Sequence, residues 1–64
     1  METTTITRMA TEAPPRDACY AFAVGDECFV GVVRDVVPVG EAEANITVEM
    51  TTREHERMLA AVGR

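Results

Sequence analysis

ACYAFAVGDECFVGVV, residues 18–33, is the stretch whose reading decides the fold. Two apolar runs meet at Gly25-Asp26, and glycine supplies the positive φ that the first position of a type II′ turn requires, so the run reads as a β-hairpin closed by Val24 and Glu27. That turn fixes the register. Phe22 is set opposite Phe29, Ala21 opposite Val30, Tyr20 opposite Gly31, Cys19 opposite Val32, and Asp17 opposite Arg34. A helix from Pro15 to Val24, started by proline and ended by Gly25, is the competing reading of the first half.

Outward from the hairpin, Met1 to Thr11 is threonine-rich and predicts an edge strand or a flexible arm. Pro14-Pro15 makes the linker that follows. Beyond the hairpin the second strand is expected to run through Val36-Val37 and to end, or become an edge, at Pro38. Val39 to Glu43 reads as a loop. Ala44 to Thr51, ANITVEMT, alternates Ile46, Val48 and Met50 with Asn45, Thr47 and Glu49, which predicts a strand with one buried face. Thr51 and Glu54 fit a capping box, and Gly63 stands where a helix-ending glycine belongs. His55, Met58, Leu59 and Val62 form the helix's expected buried stripe, with Leu59 a core residue.

The pattern predicts one α+β domain: an antiparallel sheet of three or four strands with one C-terminal helix on a face. Residues 1–16 are the edge strand or arm plus the proline linker, 17–51 the sheet, and 52–63 the helix. The hairpin has two apolar faces, small groups (Cys19, Ala21, Ala23, Cys28, Val30, Val32) on one and larger ones (Tyr20, Phe22, Val24, Phe29, Val33) on the other. One short helix covers one of them, and the periodicity leaves open which. If the larger face stays bare, Tyr20, Phe22 and Phe29 are a candidate apolar interface.

The chain has 64 residues, eleven acids and six bases, a formal net charge of −5. A core this small is marginal, since such a chain hides only about 60% of its unfolded surface. An acidic balance without a basic stripe argues against direct nucleic-acid binding and for a basic protein partner. No apolar run approaches the roughly 18 residues of a membrane span, and no leader pattern is seen, so the expectation is a cytoplasmic protein without membrane contact. Cys19 and Cys28 lie about 13 Å apart in the hairpin register at ~3.3 Å per residue. A bridge needs Cα atoms within about 7 Å, so both thiols are expected free and packed as small hydrophobes. Their eight-residue separation fits no zinc knuckle. His55 sits in the first turn of an amphipathic helix, a boundary position, and Asn45-Ile46-Thr47 matches a glycosylation sequon that a cytoplasmic chain would not use. We expect no enzymatic activity and no cofactor, because no nucleophile pair, phosphate loop or metal-ligand spacing is present.

What departs from an ordinary soluble surface is the acid run. Between Asp17 and Thr52 seven acids face one base, a local net charge of −6. Asp26, Glu27, Asp35, Glu41, Glu43 and Glu49 are the candidate partner-binding residues. The topology groups Asp26 and Glu27 at the hairpin tip, with Glu54 and Glu56 expected to join them, and Asp35, Glu41 and Glu43 at the far end.

In size, charge and α+β make-up the chain resembles the small acidic phage-encoded inhibitors of the anti-CRISPR type. That resemblance implies a protein of the host cytoplasm that binds a basic surface of a CRISPR effector complex, or of another nucleic-acid-binding protein, and blocks target DNA. The hairpin followed by Val32-Val33-Arg34-Asp35-Val36-Val37-Pro38 is also similar to the opening strands of HicB-type antitoxins. That likeness implies an antitoxin-like partner of a small basic RNase toxin, although the strand at Ile46 to Met50 stands where that family has a helix. A structural homo-oligomer is the third reading. The oligomeric expectation is a monomer or homodimer.

Overall fold

The computed structural model describes residues 1–63. In chain order the elements are β1 (Glu2–Met9), a 3-10 turn (Ala10–Glu12), β2 (Cys19–Val24), β3 (Glu27–Val39), β4 (Glu43–Met50) and α1 (Thr52–Val62). The strands make one curled antiparallel sheet in the order β1-β4-β3-β2, and the helix packs on it, the α+β arrangement that the alternation and capping signals predict.

The hairpin register is the expected one: Cys19 faces Val32, Phe22 faces Phe29, and Val24 with Glu27 closes the turn. Gly25 has φ +61 and Asp26 keeps a negative φ, as a type II′ turn requires. The competing helix over Pro15–Val24 does not form. β1 is an ordered edge strand on β4, with Ile6 opposite Ile46 and Thr7 opposite Asn45.

Of the two expectations at Pro38, an end or an edge, the edge holds. β3 pairs with β4 as far as Val39 opposite Glu43, and Pro38 lies inside it opposite Ala44. The missing amide is tolerated because β2 reaches only Val32, so beyond that point one side of β3 is open. Between Val33 and Asp35 the register slips by one residue, a β-bulge. The slip exchanges faces: Phe29, Gly31 and Val33 point to the core before it, and Val36, opposite Ile46, does so after it.

Burial decides which face the helix takes. Phe22, Phe29, Val33, Ile46, Val48, Met50 and Met58 form the core, with Tyr20, Val24, Val36, Ile6, Ala13 and Ala61 packed around it. The helix covers the larger side chains, and the crossover from β1 to β2 brings Ala13 onto the same core. Tyr20, Phe22 and Phe29 are therefore not the bare apolar interface of the alternative reading, since Phe29 has 0% of its surface exposed and Phe22 5%. Tyr20 and Phe22 stack with ring centroids 6.0 Å apart, and Phe22 and Phe29 meet at 6.1 Å. Gly31 is needed beside them, because a Cβ there would lie 2.3 Å from Val48 Cγ1 and 2.7 Å from the Glu49 carbonyl oxygen.

The helix begins as the capping box predicts, with Thr51 Oγ1 accepting from the Glu54 amide at 3.1 Å. The Glu54 carboxylate is instead paired with Arg57, whose guanidinium carbon stands 5.0 Å from the centre of the Phe29 ring. The buried stripe differs from the expected one. Met58 is the buried residue, while Leu59 is 53% and Val62 62% exposed. Successive helical residues are about 100° apart, so seating Met58 and placing Arg57 over Phe29 turns Leu59 outward. Gly63 follows the helix end with φ −76, so its left-handed freedom is not used.

Candidate functional site

Sheet geometry distributes the acids into three places. At the hairpin tip, Asp26 and Glu27 line a cleft of about 180 Å³ with Val24, Gly25 and Ala61. Ala61 belongs to the last helical turn, so it is the C-terminal end of α1 that meets the tip. The expectation that Glu54 joins Asp26 there is corrected: Glu54 lies seven residues earlier, about 10 Å back along the axis, and is engaged by Arg57. The last turn of α1 carries no basic residue, and the Leu59 carbonyl there accepts from the Gly63 amide at 3.1 Å.

In the middle of the sheet three acids share two arginines. Arg34 donates through Nε and Nη2 to Glu49 Oε1, at 3.2 and 3.0 Å, and through Nη1 to Asp17 Oδ1 at 2.9 Å. The bulge places Arg34 there, on the face away from the helix. Asp17 is held in the left-handed region, φ 66, where its amide donates to the Val33 carbonyl at 2.7 Å. Arg16 pairs with Asp35 at 2.6 Å, and Asp35 also accepts from the Val36 amide at 3.0 Å. The hydrogen bond from Arg16 holds the Asp35 carboxyl below its ordinary value. Asp35 and Glu49, two of the candidate partner-binding residues, are both engaged within the chain.

The far end holds Glu41 in the β3–β4 turn and Glu43 at the start of β4, both exposed. The crossover adds Glu12, because Ala10 donates its amide to the Ala42 carbonyl at 2.7 Å. Sequence reasoning missed Glu12 because only the β1–β4 pairing brings residues 10 and 42 together. Among the described residues Asp26, Glu12, Glu41 and Glu43 make no ion pair.

Between these ends the face opposite the helix is bare. Cys19, Ala21, Ala23, Cys28 and Val30 are exposed on it, so the thiols are not packed away as the sequence reading expects. On β4 the same face carries Asn45, Thr47 and Glu49, with the Thr7 hydroxyl donating to Asn45 Oδ1 at 2.7 Å. Among the described residues no group of three His, Cys, Asp or Glu side chains is arranged to hold a metal ion, and no helix is long and apolar enough to cross a membrane. Comparison with known protein families, curated proteins and solved structures found no match.

Proposed function

We propose that this chain is a non-enzymatic acidic inhibitor that binds a basic surface of a nucleic-acid-handling effector, in the manner of an anti-CRISPR protein that blocks target DNA. The observation that carries the reading is the division of the carboxylates. Arg16 and Arg34 satisfy Asp35, Asp17 and Glu49 in the middle of the sheet, while Asp26 at one end and Glu12, Glu41 and Glu43 at the other have no arginine partner among the described residues. The two groups lie at opposite ends of β3, in a fold whose longest extent is 31 Å, so they offer a basic groove two separate points of engagement. Unpaired carboxylates steer an encounter with a basic surface and lose that advantage as salt rises.

Plasmid-interference assays with co-expressed CRISPR effectors test this. Wild-type chain should restore transformation against at least one effector, and Glu12→Lys with Glu41→Lys and Glu43→Lys should abolish the effect in a protein that still folds. Exposed charge changes of this kind shift stability by only about 0.5 kcal/mol each. Inhibition by the reversed protein at full strength would overturn the role of the acids, and lack of inhibition across the effector panel would overturn the choice of target.

A further inference from the structure

The two edges of the sheet are unlike. β1, ETTTITRM, is a polar edge with Glu2 and Arg8. β2, CYAFAV, pairs only with β3 and carries no charge, proline or bulge along its six residues. Charges, prolines and bulges are the devices by which a free edge is normally kept from pairing with another chain, and β2 has none of them.

Its unpaired backbone groups can be identified. In a two-residue hairpin Val24 and Glu27 exchange hydrogen bonds, and the alternation of an antiparallel ladder then turns Phe22, Tyr20 and Ala18 toward β3. The Val33 amide indeed donates to the Ala18 carbonyl at 3.0 Å. Cys19, Ala21 and Ala23 therefore direct both N–H and C=O away from the sheet.

We propose that β2 is a homodimer interface, on which a second copy of this chain lays its own β2 antiparallel about a two-fold axis through Ala21. In that register Ala21 faces Ala21, and Cys19 faces Ala23 of the other copy, so each outward-directed residue exchanges hydrogen bonds with an equivalent one. Tyr20 comes beside Phe22 across the junction, an aromatic cross-strand pair on the core side. Charge selects the same register. The Arg16 end of each strand lies beside the Gly25-Asp26 turn of the other, and the Arg16 side chain is 68% exposed. Sliding by two residues toward the turn carries Arg16 past Asp26 and sets Cys19 opposite Gly25 of the turn, and sliding the other way leaves Ala23 opposite Asp17 with fewer hydrogen bonds. The result is a continuous eight-stranded sheet with a helix over each half, in which Asp26 is matched by Arg16 of the other copy and Glu12, Glu41 and Glu43 stay clear of the junction.

The mass of the full chain in solution at high micromolar concentration, by light scattering, should be twice 7.0 kDa. Ala21→Cys, in a Cys19→Ser, Cys28→Ser background, should form an intermolecular disulfide on mild oxidation, because facing Cα atoms of a hydrogen-bonded pair lie about 5.5 Å apart. Ala23→Cys in the same background should not, being set about 13 Å from its own equivalent at ~3.3 Å per residue. A second route avoids cysteine. Arg16→Glu should weaken the dimer at least tenfold and Arg16→Glu with Asp26→Arg should restore it. A monomer at that concentration would overturn the proposal, as would equal crosslinking through positions 21 and 23.

Discussion

The helix-side face and the bare face of this sheet are built from the same strands, and in the hairpin both are apolar. They differ in side-chain size. Phe22, Phe29 and Val33 point to one side and Ala21, Ala23, Cys28 and Val30 to the other, so the helix gains more buried area on the first. β4 settles the choice, since Ile46, Val48 and Met50 share the aromatic side while Asn45, Thr47 and Glu49 share the other. A two-stranded ribbon can leave its inside undefined, and the third strand then defines it.

The sharpest break of that comparison is at adjacent positions of one strand, which point to opposite faces. Phe29→Ala should cost about 3–5 kcal/mol, a loss comparable with the roughly 3–5 kcal/mol that holds a domain of this size, and should leave little folded protein in urea titration. Val30→Ala, next along β3 but 54% exposed, should move the urea midpoint little, by about 0.5 kcal/mol or less. Gly31→Ala comes second, at about 1–3 kcal/mol, because the new methyl meets Val48 and the Glu49 backbone. The helix offers the same contrast on a smaller scale. Met58→Ala should cost about 2 kcal/mol or more and Leu59→Ala about 0.5 kcal/mol or less, read from paired melting curves; equal losses would mean that the helix is rolled toward Leu59.

The smallest expected effect is electrostatic. The Asp35 carboxyl is held low in the folded chain, chiefly by Arg16, so its contribution is present above the ordinary carboxylate value of about 4 and is lost as pH falls through the lower folded value. The difference in urea midpoint between wild type and Asp35→Asn should therefore be visible at neutral pH and vanish in acid. A difference that grows in acid would mean that the pairing with Arg16 does not form.

The hairpin register was legible because one turn fixes it, and β4 because its alternation is unbroken over Ile46 to Met50. The bulge was not. Val32-Val33-Arg34-Asp35-Val36-Val37 alternates in neither register, and only pairing with β4 reveals that Arg34 is the extra residue. Helix rotation was equally hidden: the buried arc centres on Met58 with Glu54, His55 and Ala61 partly covered, which leaves Leu59 and Val62 at the outer edge of the apolar stripe. The acids were countable, but their meaning depended on partners: Arg16 and Arg34 reach Asp35, Asp17 and Glu49 only through the crossover and the bulge, and Glu12 joins Glu41 and Glu43 only through the edge strand.

Thiol reactivity tests the unequal faces most directly, because Cys19 and Cys28 both lie on the bare one. In folded protein without denaturant both should react with a chromogenic disulfide reagent as fast as they do in urea, whether or not β2 is paired with a second copy, since edge pairing leaves that face open. Reaction limited by unfolding would contradict the account and place a cover over the small-residue face.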